Sequence, residues 1–463
     1  MAGSIATTQP IPKNDRREIF GWTMYDWANS AFSTTVAGAL LAPYLTALAQ
    51  SAVGENGVVL GLGPFGAVTA KSFFPLCISL SVFLQVFFLP ILGAIADYSH
   101  LKKRLMAFFC YIGVLATCLF FFITADTYFW GGVLFIVANL AFGAAIVLYN
   151  AFLPDIASED KVDSVSSRGF ALGYLGGGIL LAANFALLTF ANSLGISAGM
   201  AVRLSLLSAG VWWGGFALIT FARLRSRAPA RTLQPGKSYA TIGFSEVGAT
   251  FRELGRLPYT LRYLVGYLFY NDGIQTVIGL ASVFLSQELF TEQQRAAGED
   301  QRFVLLIYLM VQFVAFLGAL VFERIARVVG TKRAIMISLV LWSGVVVYAY
   351  GFLQNTTQAW FMAGAIAMVL GGSQALSRSL FSRMIPPGRE ASFFGIYEIS
   401  ERGTSWIGPL IFGAVVGATN SYRDAILSLI ALFLIGLVIL VTTDTNRAVH
   451  EAGRSLPEEA RQA

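Results

Sequence analysis

Twelve apolar runs, each close to the length a helix needs to cross a bilayer, leave this chain few folds. A spanning helix takes about 20 apolar residues. The runs fall near 20–48, 73–96, 104–124, 129–150, 168–191, 200–222, 259–287, 303–325, 333–353, 358–380, 393–416 and 422–443. Lipid offers no hydrogen bonds to a bare backbone, so such runs fold as helices. The fold class this predicts is an all-α membrane protein with 12 transmembrane helices. Composition agrees, since 56% of the 463 residues are hydrophobic and 13% are charged, against about 25% charged in soluble domains. The first run follows a polar stretch and is too long for a signal h-region, which predicts that it stays in the mature protein.

Lysine and arginine fix the expected orientation. Of the 32 such residues, 26 fall in the tails and in loops on one side. Five fall on the other side, Lys71, Arg203, Arg295, Arg302 and Arg423, and Arg402 lies within the eleventh run. Cytoplasmic loops retain positive charge, so both termini are expected in the cytoplasm. The net charge of +6 then follows from topology, and no nucleic-acid partner is implied. The longest hydrophilic interruption divides the chain into a tail (1–19), a six-helix bundle (20–222), a linker (223–258), a second bundle (259–443) and a second tail (444–463). Within the linker Phe244, Val247, Phe251 and Leu254 recur at helical spacing, which suits a short amphipathic surface helix or a solvated connector.

Several chemistries are disfavoured. Cys77, Cys110 and Cys118 all lie in apolar runs and give no disulfide framework. No metal cluster, cofactor motif, nucleophile with a base or phosphate loop is present, so no enzyme is expected. The two histidines, His100 and His450, lie in hydrophilic segments. Any proton crossing the membrane must therefore ride on carboxylates.

Two greasy helices carry the same polar signature. Asp26 is followed by Asn29 and Ser30, and Asp272 by Gln275 and Thr276. An acid with an amide at i+3 and a hydroxyl at i+4 puts all three on one helix face, shared with Ser33 in the first case and Gly279 in the second. An acid at the centre of a membrane helix costs roughly 2.5–3.5 kcal/mol, so these six residues are the candidate substrate- or proton-binding set. Arg378, preceded by Gln374, is either an anion contact or a side chain snorkelling to the interface. Glu398 and Arg402 are four apart and suit a buried intrahelical pair. Arg168 begins the fifth run as an interface or gate charge.

Six plus six helices with a basic central loop resembles the major facilitator superfamily. Gly93, Asp97, Lys102, Lys103 and Arg104 resemble its loop motif, in which glycine permits close packing and the acid pairs with basic groups to latch the cytoplasmic gate. His100 and Leu101 stand where the usual second glycine and arginine would be. A degenerate second copy runs through Gly318, Glu323, Arg324, Gly330, Lys332 and Arg333. Leu153-Pro154 and Ile385-Pro386 repeat between the halves, a register that aligns Asp26 with Asp272, Asn29 with Gln275 and Ser30 with Thr276. Helix eleven has Gly408-Pro409 but helix five lacks the Gly-Pro pairing of drug-proton antiporters, which weakens a drug-efflux reading.

A narrower resemblance rests on three separated segments: Gly21-Trp22-Thr23-Met24-Tyr25-Asp26-Trp27-Ala28-Asn29-Ser30-Ala31-Phe32, Leu153-Pro154 with Ser166-Ser167-Arg168-Gly169-Phe170-Ala171-Leu172-Gly173-Tyr174, and Tyr270-Asn271-Asp272-Gly273-Ile274-Gln275-Thr276. They look like the branch that contains the fungal vacuolar amino-acid effluxers linked to autophagy and their bacterial relatives. The resemblance implies a monomeric secondary transporter in a bacterial inner membrane, moving a small polar solute such as an amino acid by alternating access, with protons as a coupling partner and no cofactor. The alternatives are a sugar, polyol or drug transporter of the same fold, or a non-transporting membrane sensor.

Overall fold

The computed structural model describes residues 12–55, 57–61, 67–227, 231, 239–403 and 407–459, apart from the side chains at 239–242, 244, 296 and 402–403. The first span is α1 (Arg16–Ala31), a π-helical stretch Phe32–Leu40 and α2 (Leu41–Val53). An antiparallel hairpin of β1 (Val58–Gly61) and β2 (Ala67–Thr69), unannounced by any alternating pattern, leads into α3 (Ala70–Asp97). Then come α4 (Lys102–Leu119), α5 (Tyr128–Ala151), the single turn α6 (Leu153–Ile156), α7 (Val162–Thr189) and α8 (Ala198–Arg223). The linker helix α9 (Tyr239–Gly255) separates these from α10 (Pro258–Leu289), short α11 (Glu292–Ala296), α12 (Glu299–Val329), α13 (Thr331–Gly351) and α14 (Thr356–Arg383). The chain ends with α15 (Glu390–Glu398), a π-helical turn Ile399–Gly403, α16 (Ile407–Thr419), α17 (Tyr422–Ser428), α18 (Ile430–Thr442) and α19 (Thr445–Glu451).

Among the described residues, eleven helical stretches are long and apolar enough to cross a membrane. The expected eleventh run, 393–416, takes in α15, its π-helical turn and the shorter apolar helix α16, with residues 404–406 outside the described residues.

Local chemistry sets the ends. Asp15 caps α1 by accepting from the backbone N–H of Arg17 at 2.8 Å, and Asn355 caps α14 by accepting from Gln358 N–H at 2.9 Å, each satisfying a donor the helix leaves open. Pro258 opens α10, where its missing N–H costs nothing. The face at which α1 begins and α18 ends is termed the terminal face.

Close packing between the first and fifth spans is made possible by small residues. In α7, Gly169, Gly173, Gly176 and Gly177 lie against Asp26, Ser30, Trp27 and Thr34 respectively. A Cβ on Gly173 would come within 2.8 Å of the Ser30 hydroxyl oxygen, so the polar stripe of α1 seats only on a row lacking side chains. Asp26, Asn29 and Ser30 are thus packed within the protein, whereas Ser33 is exposed.

The linker helix is formed and docked. Gly243 approaches Ile91 and Ile95 of α3, and Leu254 is buried while Phe251 stays exposed. The side chain of Phe244 lies outside the described residues. Glu246 and Glu253 receive Arg389 at 2.7 and 2.6 Å. Arg389 sits in the connection between α14 and α15, so α9 bridges the two halves on the terminal face. Burial alone would raise the Glu246 carboxyl, but hydrogen bonds from Arg389 and Tyr98 and the charges of Arg389 and Arg231 hold it below the usual glutamate range. A lowered folded value means the stabilisation is complete above the unfolded glutamate range and is lost as pH falls through the folded value. Hydrogen exchange of the α9 amides should therefore stay slow at neutral pH and accelerate only in acid below that range, whereas Glu246→Gln should speed exchange at neutral pH.

Candidate functional site

Arg378 is the hub of the described polar interior. It is 3% exposed, which removes the snorkelling alternative. Its Nη2 donates to Asp26 Oδ2 at 3.2 Å and to the Ser166 carbonyl at 2.9 Å, its Nε to Ser166 Oγ at 2.9 Å, and its Nη1 to Asn150 Oδ1 at 3.3 Å. The guanidinium also lies over the rings of Phe170, Trp22 and Tyr149 at 4.2, 4.9 and 5.6 Å from their centroids. Cation–π attraction and five directed donors are what a desolvated arginine requires. Asp26 completes its own shell by accepting from the Tyr149 hydroxyl at 2.7 Å.

This constellation joins the two halves. Asp26, Tyr149, Asn150, Ser166 and Phe170 come from α1, α5 and α7, whereas Arg378 comes from α14. The ion pair is buried on both sides, with side chains 11% and 4% exposed, so Coulomb attraction there is little screened. Asn150 carries the network on by donating to Glu398 Oε1 at 3.1 Å. The expected Glu398–Arg402 pair has only one member inside the description: Glu398 is buried on Asn150, and the Arg402 side chain lies outside the described residues. Beside the hub, the Tyr174 hydroxyl donates to Gln374 Oε1 at 2.6 Å, again across the halves.

The other stripe residues separate. Ser30 spends its hydroxyl on the Asp26 carbonyl at 2.7 Å, and Asn29 is buried with its Nδ2 unpartnered among the described residues. Asp272 is fully buried and accepts from the Gly408 N–H of α16 at 2.6 Å. Its other oxygen, Oδ1, and the Thr276 hydroxyl have no hydrogen-bond partner among the described residues. Gln275 is half-buried. Equivalent positions in the sequence repeat therefore hold different partners: an arginine and a tyrosine for Asp26, the Gly408 backbone N–H for Asp272.

At the terminal face the motif residues behave differently from the expected charge latch. Asp97 accepts from the N–H groups of Ala391 and Ser392, each at 2.9 Å, and from the Ser392 hydroxyl at 2.5 Å. It caps α15 of the opposite half, where a carboxylate suits the positive end of the helix. Gly93 lets the backbones meet, since a Cβ there would lie 2.7 Å from the Ala391 carbonyl carbon. Lys102 pairs instead with Asp155 at 3.0 Å, and Lys103 and Arg104 make no ion pair among the described residues. In the second copy Glu323 pairs with Arg327 one turn along the same helix.

A second crossing, with no sequence signal beyond an acid in a charged loop, centres on Asp163. It accepts from Thr331 Oγ1 at 2.6 Å and Ser379 Oγ at 2.5 Å and pairs with Arg383 at 2.8 Å. A cleft of about 1750 Å³ lies on this face, lined among others by Arg16, Thr23, Asp163, Arg168, Glu323 and Arg383. Arg168 is exposed at its edge. Among the described residues no group of acids, histidines and cysteines fit to hold a metal is found.

Residues 14–453 match the family described as "Vacuole effluxer Atg22 like". The chain is 31% identical over 440 residues to the uncharacterized MFS-type transporter YxiO of Bacillus subtilis (strain 168), covering 94% of this chain and 97% of that one. It is 29% identical over 476 residues to autophagy-related protein 22 of Yarrowia lipolytica, covering 84% and 78% respectively. The human organic anion transporter MFSD10 superposes with a TM-score of 0.65 at 14% identity, covering 93% of this chain and 100% of that one. The E. coli fucose:proton symporter FucP gives 0.64 at 12%, covering 92% and 98%. Likeness at such identity speaks for the fold alone, but the family match spans nearly the whole chain. The chain belongs to the Atg22-like vacuole effluxer family and is a multi-pass membrane protein, a secondary transporter of the major facilitator fold and not an enzyme.

Proposed function

We propose that the chain carries a zwitterionic amino acid, using Asp26 for the ammonium and Arg378 for the carboxylate. The observation that supports this most is the buried Asp26–Arg378 pair spanning the two halves in an aromatic sleeve. A zwitterion presents opposite charges a few ångströms apart, so it can replace each partner for the other. The net buried charge then stays at zero throughout, which avoids the cost of an isolated ion in a dry interior. Exchange of a protein pair for substrate contacts frees one half to move relative to the other.

Asp272 is the coupling acid in this reading. Its Oδ1, without a hydrogen-bond partner among the described residues, is a place for a proton to land, whereas Asp26 is occupied by Arg378 and Tyr149. The moving bodies are residues 20–222 and 259–443, joined by 223–258, and one chain carries both. The positive-charge count supports a cytoplasmic terminal face, and kinship with a bacterial protein favours a plasma membrane.

Reconstituted protein, screened with labelled amino acids under an imposed pH gradient, tests both assignments. Asp26→Asn should abolish substrate-dependent flux, while Asp272→Asn should leave exchange of substrate intact but uncouple it from the gradient. Unaltered pH-driven flux in Asp272→Asn would remove the coupling role. A neutral polyol is the second reading, favoured by the buried amides Gln312 and Asn29 and the half-buried Gln374. Competition by sugars and none by zwitterions would select it.

A further inference from the structure

On the terminal face, a second pocket of about 740 Å³ lies at the outer border of α1, α4 and α8. Four cations line it, Arg17, Lys103, Arg223 and Arg225, and no acid does. Nearby carboxylates are already engaged: Asp15 takes Arg225 at 2.5 Å, and Glu18 takes Arg227 through two hydrogen bonds at 2.7 and 2.9 Å. Arg17, Lys103 and Arg223 have no ion-pair partner among the described residues, and the undescribed residues contain no Asp or Glu. Three uncompensated cations sharing one pocket repel each other unless an anion joins them.

The pocket is held in shape. Gly21 brings α1 against the Cβ of Arg223, and the Arg223 guanidinium lies 4.7 Å from the centroid of Phe20. Phe20 is 42% exposed, and within two turns of the cations Phe108 on α4 and Leu218 on α8 are 59% and 60% exposed. Cations at the pocket and bare apolar side chains next to it match the two ends of a phospholipid.

We infer that this pocket binds the phosphate-bearing headgroup of an anionic phospholipid, with the acyl chains lying along Phe20, Phe108 and Leu218. The inference is independent of the transported solute. Basic pockets between spans on this side of a membrane hold such headgroups, with each Lys or Arg strengthening binding roughly fivefold. The bound lipid ties the start of the first span to the end of the sixth, next to the point where the chain enters the linker.

Native mass spectrometry of the full-length protein, delipidated and then titrated with phosphatidylglycerol or phosphatidylcholine, tests it. Phosphatidylglycerol should bind in preference, and Arg17→Gln with Lys103→Gln should weaken it roughly 25-fold at about fivefold per cation, leaving phosphatidylcholine unchanged. The charge-conserving pair Arg17→Lys with Lys103→Arg should retain the preference, which separates charge loss from misfolding. Equal phosphatidylglycerol binding by the neutral variant overturns the site. Inorganic phosphate that displaces the lipid at equal concentration makes it a free-phosphate site and overturns the lipid assignment.

Discussion

Arg378→Ala is expected to destabilise the protein by about 3–5 kcal/mol, the usual consequence of stranding one member of a buried ion pair, and to abolish transport. Asp26 keeps only the Tyr149 hydroxyl, Ser166 and Asn150 lose their donors, and three aromatic rings close on a void. Thermal unfolding in detergent, read beside flux in liposomes, measures both effects. Arg378→Lys should recover part of the stability and little of the transport, because an ammonium cannot reach Asp26, Ser166 and Asn150 at once. The double variant Asp26→Asn, Arg378→Gln should be less destabilised than the sum of its singles, since neither charge is left alone. A single-variant cost under about 1 kcal/mol, the level of an exposed pair, would show that the pair is solvated and that its proposed role in substrate exchange is wrong.

Gly93→Ala carries the second large effect, and its origin is steric. The added methyl would sit 2.7 Å from the Ala391 carbonyl carbon and 3.0 Å from the Ser392 Cα. Both are backbone atoms of another helix, so α3 and α15 must separate, and the three hydrogen bonds that Asp97 accepts from α15 stretch with them. Overpacking of this kind costs typically 1–3 kcal/mol. It falls only on the conformer in which the two helices touch, so the population should shift about 5- to 150-fold toward a terminal face that is open. Ser382 is fully buried beneath that face, and the rate at which a Ser382→Cys variant reacts with a maleimide reports the shift. An unchanged rate would mean that contact between α3 and α15 does not limit opening.

What was legible in the chain was whatever depends on near neighbours. Hydropathy located the spans, and the i, i+3, i+4 spacing picked out Asp26, Ser30 and Asp272 as costly residues. The amphipathic spacing at Val247 and Leu254 pointed to α9. The partners were not legible, because Asp26 meets Arg378 across 352 residues of sequence and Asp97 meets Ser392 across 295. Asp97, expected in a charge latch, spends its hydrogen bonds on a helix cap, and the ion pair of Lys102 is with Asp155. Tyr149 and Asn150 left a faint signal, two polar residues closing an apolar run just before Leu153-Pro154. Asp163 left little, reading as one acid among several in a hydrophilic stretch although it lies in the first turn of α7. The π-helical turn Ile399–Gly403 was hidden because hydropathy does not distinguish a π turn from an α turn.

The π-helical stretch Phe32–Leu40 limits how far face arithmetic can be carried along the first span. A π turn bonds i to i+5 and so admits an extra residue in each turn, which advances the phase of everything beyond it. Ser33, assigned to the Asp26 face by α-helical counting, is exposed, whereas Ser30 three residues earlier packs on Gly173. The first span is therefore two α-helical shafts of different phase joined through the π-helical stretch. The shaft that starts at Arg16 is bolted through Asp26 to the opposite half, while the shaft that ends at Val53 takes its orientation from other neighbours, with Leu45 set against Gly131 of α5. One membrane crossing thus answers to two mechanical partners, and a rotation imposed at one end need not arrive at the other.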